Sequence, residues 1–350
     1  MDGRTNADAT ATQTTFASSR RGAFMSYTAA FETLDDVRED WLALMGPPRA
    51  RRIFQHPRWQ QVWLDEFDRR EDARFLTVRD GDVLVGLASL LVAEERVSFL
   101  GDHNICDFMD FLLSPGKEED VLSAIVNALL EDGRREFDFW GLRADSPSLA
   151  LLPQVARSRG LEVRIEDEAV CPSLDLPPTW EDYLELLGKK NRHELRRKMR
   201  RLEKTAGPMR FRVLCSPLEL EQGMDDFLRL MTLKSDKAQF MTPQMERFFR
   251  HIGVAMAEEG LAGLYMFELD GRRVASTFCF EDKGETLIYN SGYDPQYAYL
   301  SVGLLSKAAC LRHAIEDGRS RLDFLRGNEP YKYDLGGKDL RVHRCLIKKA

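Results

Sequence analysis

The sequence predicts an α/β fold with a mixed sheet, built as two related halves in tandem, and three features recurring in the same order predict it. The first is a hairpin. FLTVR runs through Asp80 and Gly81 into VLVGLASLLV, and LYMFEL runs through Asp270 and Gly271 into RRVASTFCF, each a pair of apolar strands around a DG turn. The second is Leu-Ser-x-Gly opening a helix, at Ser114 and Gly116 and again at Ser301 and Gly303. The third is an apolar strand carrying Asp-Phe, Asp138-Phe139 in FDFWGL and Asp323-Phe324 in LDFLRG. Gly81 and Gly271 stand 190 residues apart, Ser114 and Ser301 187, Asp138 and Asp323 185, so one unit of nearly constant length has been written twice.

Along the chain, residues 1–28 are dominated by Thr, Ala and Ser without an apolar run, which reads as a disordered leader and not as a signal peptide. The first half is expected over 29–168 and the second over 169–350. Between them the acidic EDEA run and the pair Pro177-Pro178 interrupt the pattern. With 350 residues and 43% hydrophobic content there is apolar mass for two cores. A net charge of −7 excludes a polycation that coats nucleic acid, and no stretch reaches the ~20 apolar residues of a membrane span. Six dispersed cysteines without a CxxC pair read as free thiols of a reducing cytoplasm. The six histidines are equally scattered, so no metal is expected.

The Ser-x-Gly step matters because a helix N-terminus offers unpaired N–H groups and the positive end of a dipole to an anion such as a pyrophosphate. In the first half Lys117 is followed by Glu118, Glu119 and Asp120, which would repel phosphate. In the second, Gly303 leads into LLSKAACLRH, with Ser301 as the expected N-cap. An ordinary capped helix packing Leu304, Leu305 and Ala308 on the sheet is the competing reading. The run KKNRHELRRKMRRLEK (189–204) carries nine basic and two acidic residues. Leu184, Leu187, Leu195, Met199 and Leu202 nevertheless give it one apolar face, so it reads as a packed helix with a basic flank. The flank could meet an anionic acceptor, and the lack of interleaved aromatics argues against tRNA and other single strands.

FQHPRWQQVWLDEF (54–67), DFMDFL (107–112), CPSLDLPPTWEDYLELLGKKNRHELRRKMRRLE (171–203), YNSGYDPQYAYLSVG (289–303) and LDFLRGNEPYKYDLG (322–336) resemble the CelD-like branch of the GNAT acetyltransferases, known among cellulose and exopolysaccharide biosynthesis proteins. That branch is similar in plan to the FemABX peptidyl transferases, which also pair two GNAT-like domains. The resemblance implies tandem GNAT-like domains and a cytoplasmic N-acyltransferase. Its donor would be acetyl-CoA or another acyl-CoA. Its acceptor would be an amine of an amino sugar or peptide precursor of the cell envelope, phosphate-linked in some cases. Where GNAT enzymes at large carry Arg or Gln at the head of a glycine-richer pyrophosphate loop, 299–303 has one Gly and no Arg.

Amine acylation requires a positioned thioester, an oxyanion donor, a base and an acid. The second half can supply all four. Asn290 and Ser291 end a central strand, where a kink would turn backbone N–H groups to the thioester oxygen. Leu300, Ser301, Val302, Gly303 and Leu304 form the candidate acyl-CoA loop. Glu329 or Asp323 could act as base and Tyr331 or Tyr333 as acid, with Arg326, Lys332, Tyr293 and Asp294 as candidate acceptor contacts. Ion pairs of Asp323 with Arg326, or of Glu329 with Lys332, are the structural alternative. The alternatives for the protein as a whole are a catalytically idle module that regulates polysaccharide assembly through a nucleotide or synthase partner, and a FemABX-like aminoacyl transferase.

Overall fold

The computed structural model describes residues 14–20, 23–47, 50–206 and 210–349. The first half runs β1 (Thr14–Arg20), β2 (Ala23–Glu32), α1 (Leu34–Met45), α2 (Pro57–Phe67), β3 (Ala73–Asp80), β4 (Val83–Ala93), β5 (Arg96–Phe99), β6 (Leu112–Leu113), α3 (Glu118–Glu131), β7 (Glu136–Arg143) and α4 (Pro147–Arg157). It continues through β8 (Leu161–Asp175) into α5 (Trp180–Leu186), α6 (Lys189–Ala206), β9 (Arg210–Leu214), α7 (Pro217–Thr232), α8 (Ser235–Phe240) and α9 (Pro243–Glu258). The chain ends with β10 (Ala262–Leu269), β11 (Arg272–Glu281), β12 (Glu285–Tyr293), α10 (Val302–Glu316), β13 (Arg321–Asp323), α11 (Pro330–Asp334) and β14 (Lys338–Lys349). The expected α/β architecture with a mixed sheet is therefore present. The second hairpin turns on the expected pair: Asp270 and Gly271 join β10 to β11 at φ of 48° and 73°, the left-handed pair a tight hairpin needs. In the first, Asp80 still pairs with Val83, so Gly81 and Asp82 make the turn, and α3 starts after Lys117, three residues beyond Ser114.

One sheet of 14 strands carries both halves, in the order β1-β2-β3-β4-β5-β7-β14-β8-β13-β12-β11-β10-β9, with β6 against β4. Most neighbours are antiparallel; β5 with β7 and β12 with β13 are parallel. The division at 168/169 runs through the middle of β8, which pairs with β14 along its length and with β13 at its end. The acidic run that resembled a linker is the partly exposed face of this long strand, and Pro177-Pro178 follow its end. The C-terminal strand β14 returns to lie between β7 and β8, so the first half's sheet is completed by the last residues of the chain.

The leader expected over 1–28 is corrected within the described residues: 14–20 and 23–28 lie in β1 and β2, which pair with each other, and β2 pairs on with β3. Tyr27 and Ala29 are buried. A Thr, Ala and Ser composition is compatible with a strand once an edge of β3 is there to pair with it. Residues 1–13, 21 and 22 lie outside the described residues. Among the described residues no helix is long and apolar enough to cross a membrane.

The two halves share a core. Pro57 opens α2 at its first position, and the side chain of His56 accepts the N–H of Arg58, so the helix starts with its free N–H groups partly answered. It then points Trp59 across to the second half, where its ring meets Phe248, Phe280 and Tyr289 at centroid distances of 5.7, 5.3 and 5.7 Å, edge to face. Tyr289 reciprocates by donating its hydroxyl to the carbonyl of Ile105 at 3.0 Å. A second cluster, with Leu195 and Leu202 of α6 and Leu305, Ala308 and Leu311 of α10, covers the other face of the second half's strands. The basic helix packs by those leucines, and its charged flank stays at the surface.

Candidate active site

A cavity of about 830 Å³ opens where the first half's 103–107 loop approaches β12, α10 and the loop that leads into α11. Its back wall is β12. On one side β12 remains paired with β11 as far as Tyr293, with a register shift that makes Tyr289 the extra residue between Ile288 and Asn290. On the other side the ladder to β13 covers only Glu285, Thr286 and Leu287. Beyond Leu287 the two parallel strands part, and Asn290 and Ser291 line the opening between them. Lys237 donates to Asn290 Oδ1 at 2.7 Å and so fixes that side chain.

Gly292 explains how the wall stays flat. A Cβ there would lie 2.2 Å from the backbone N of Met231 and 2.3 Å from the carbonyl carbon of Leu230, so the end of α7 rests directly on the strand. Because backbone cannot yield as a flexible side chain can, Gly292→Ala should cost about 1–3 kcal/mol or more by moving α7. A chemical melt checks this; an unchanged midpoint would contradict it.

α10 begins against the cavity. Gly303 lies where a Cβ would meet the Tyr293 ring at 2.7 Å, and Lys234 stands 4.8 Å over the centroid of the same ring. Ser301 occupies the N-cap position in the left-handed region, φ 60°, and its side chain does not cap the helix. Its Oγ accepts instead from the Arg201 guanidinium of α6 at 3.0 Å, while its carbonyl accepts the N–H groups of Leu304 and Leu305. The side-chain cap expected of Ser301 is thus absent from the start of α10. Ser301, Gly303 and Leu304 line the cavity; Leu300 and Val302 are buried beneath it in the core. That arginine comes from α6, 100 residues earlier in the chain.

The opposite wall is the charged loop. Lys332 is 1% exposed, and its ammonium donates to the carbonyls of Leu325, Arg326 and Gly327 at 2.9, 2.7 and 3.1 Å and pairs with Glu329 at 3.0 Å. It clamps the loop from inside, which leaves it little capacity as an acceptor contact. Glu329 lines the cavity with a half-exposed side chain. Tyr331 lines it too, its hydroxyl pushed up by burial and so held protonated. Arg326 lies 3.7 Å from Asp107 and 3.5 Å from Glu168, tying the loop to the first half.

Three expected residues stand elsewhere. Asp323 is 2% exposed below the floor, accepts the N–H of Leu325 at 2.8 Å and faces Arg143 at 3.5 Å. It supports the loop from inside the fold and is paired with Arg143, not with Arg326. Tyr333 points outward and donates to Asp339 at 2.7 Å. Asp294 caps the turn Pro295–Leu300 by accepting the N–H of Gln296 at 2.9 Å.

Two groups that the sequence reading did not select line the same cavity. Asp107, in the first half, has its carboxyl raised to about 6 by burial, against the lowering influence of Arg326 and Lys332. Lys307, within the LLSKAACLRH run of α10, is 4% exposed, and burial brings its ammonium down to about 7. The signal for Asp107 was its place in the DFMDFL segment; for Lys307 it was a lone cation in an apolar helix. Among the described residues no group of three His, Cys, Asp or Glu could hold a metal ion.

Residues 189–333 match the family model of an acetyltransferase (GNAT) domain. The fold is shared with a conserved protein of unknown function from Bacteroides thetaiotaomicron VPI-5482, at 15% identity and a TM-score of 0.62 over 91% of this chain and 99% of that one. It is shared equally with FemX, at 12% identity and a TM-score of 0.62 over 91% and 96%. The C-terminal DUF2156 domain of an Agrobacterium fabrum protein superposes at 12% identity and a TM-score of 0.58 over 90% and 92%. No curated protein matches the chain. The family match supports an N-acyltransferase, of a family that uses acyl-CoA as its acyl donor.

Proposed function

We propose that the N-acyl transfer implied by the GNAT match takes place in the cavity between the halves, with acyl-CoA entering along β12 and α10 and an amine acceptor arriving against the 326–332 loop. The observation that carries this reading is the convergence, in one cavity, of the parted strand edge at Asn290 and Ser291, the uncapped start of α10 and a largely buried carboxyl at Asp107. In it, the backbone at Asn290 and Ser291 receives the thioester, and Ser301, Gly303 and Leu304 with Arg201 receive the diphosphate of the donor. Asp107 takes the proton of the acceptor ammonium. Tyr331 returns a proton to the leaving thiolate. Glu329 keeps the loop closed on Lys332, and Tyr293 borders the acyl chain.

The acceptor we favour is an amino sugar or peptide precursor of the cell envelope or an exopolysaccharide, handled in the cytoplasm. The resemblance of 289–303 and 322–336 to the CelD-like branch supports it, and the shared fold of FemX makes a peptide the first candidate to try. An idle module that binds a nucleotide or synthase partner would retain the fold but release no CoA. Acetyl-CoA at a hundred times its dissociation constant should stabilise the protein by about 2.7 kcal/mol, and free CoA should appear when a panel of amino sugars and peptides is added. Stabilisation without CoA release on any acceptor would favour the idle module.

A further inference from the structure

Lys307 is a buried lysine of the cavity to which neither the reaction above nor any carboxylate among the described residues gives a partner. It projects from the second turn of α10, 4% exposed, with its ammonium 5.5 Å over the centroid of the Tyr331 ring. Among the described residues it has no hydrogen bond and no carboxylate within ion-pair distance. The groups that face it are Cys310 on its own helix, Cys279 on β11, Lys234 and Lys237 at α8, and Tyr331 on α11. Burial keeps the Cys279 thiol and the Tyr331 hydroxyl protonated, and the two lysines oppose an ammonium. At neutral pH a large share of Lys307 is therefore the free amine, its ammonium having been brought to about 7.

We propose that Lys307 is an internal acyl acceptor: when no external amine occupies the cavity, its Nζ takes the acyl group of a bound acyl-CoA. This rests on the acyl-CoA reading of the cavity. The Nζ lone pair attacks the thioester carbonyl carbon, a C–N bond forms, the C–S bond breaks, and the CoA thiolate leaves with the proton that the amine gives up. The products are one Nζ-acyl-lysine and one free CoA, with no other reactant. Holding amine and thioester in one cavity makes the step unimolecular. The amide formed is neutral and bulky, so acylation fills the space between α10 and Tyr331 and slows further turnover.

The test incubates the full chain with acetyl-CoA and no acceptor, from pH 6 to 8, followed by intact mass and peptide mapping. The expected result is one acetyl group on Lys307, its rate rising about tenfold over that range as the amine deprotonates. Lys307→Arg and Lys307→Met should gain none while still being stabilised by acetyl-CoA. The pH profile of the unaltered protein decides the matter should both variants fail to fold. Stabilisation by acetyl-CoA with Lys307 unmodified overturns this inference alone, as does acetylation confined to exposed lysines. Absence of any stabilisation overturns it together with the acyl-CoA reading.

Discussion

Asp107→Asn should lower the rate of acyl transfer by ~10²–10⁴, the loss typical of removing a general base, while the protein stays folded. Its carboxyl is raised to about 6 because burial outweighs the attraction of Arg326 and Lys332. A group so placed is mostly ionised at neutral pH and still basic enough to take a proton. The rate of the unaltered protein should accordingly climb as pH rises through about 6. The stability linkage runs the other way. A carboxyl raised in the folded state binds more protons folded than unfolded between 3.8 and about 6, so stability falls as pH rises through that window. Asparagine removes that penalty, and Asp107→Asn should therefore melt at or above the unaltered protein at pH 8. Glu329→Gln gives the contrast: the change breaks a half-exposed pair with Lys332, so activity should fall by less than tenfold and only in step with melting temperature. A fully active Asp107→Asn, or a Glu329→Gln that loses ~10²-fold activity without loss of stability, would reassign the proton to Glu329.

Trp59→Ala should destabilise the protein by about 3–5 kcal/mol, the range for deleting a buried indole. Trp59 is 1% exposed and stands on the first half's α2, yet three of its ring neighbours, Phe248, Phe280 and Tyr289, belong to the second half. Cutting it back to a methyl group opens a hole at the junction of the halves and loosens Tyr289, whose hydroxyl holds the Ile105 carbonyl beside Asp107. Donor binding should weaken along with stability, because β12 is both the junction and the cavity wall. Chemical denaturation read by fluorescence and by circular dichroism checks the size of the effect. A loss under 1 kcal/mol would show that the halves hold together without this contact.

What the sequence by itself determined is local in origin. Asp-Gly turns, the helix start at Ser301 and the alternation of strands with helices depend on residues a few positions apart, so the α/β class with a mixed sheet, and the likeness of the halves, were legible in the sequence. Part of the site was legible for the same reason: Asn290, Ser301, Gly303, Glu329 and Tyr331 lie on short segments following recognisable strands, and the fold brings them to one cavity. Asp323 and Tyr333 were indistinguishable from them in sequence, since the direction of a side chain beside a strand end depends on what packs there: Arg143 in one case and Asp339 in the other. Only the tertiary structure decided that Arg201 answers Ser301, that Asp107 crosses from the first half, that Lys307 is buried with no carboxylate beside it among the described residues, and that β14 completes the first half's sheet. Each of these joins segments separated by 100 residues or more, or depends on water being excluded from a charged group. The free energy of such contacts comes from burial and pairing in three dimensions, for which the spacing of residues along the chain carries no signal.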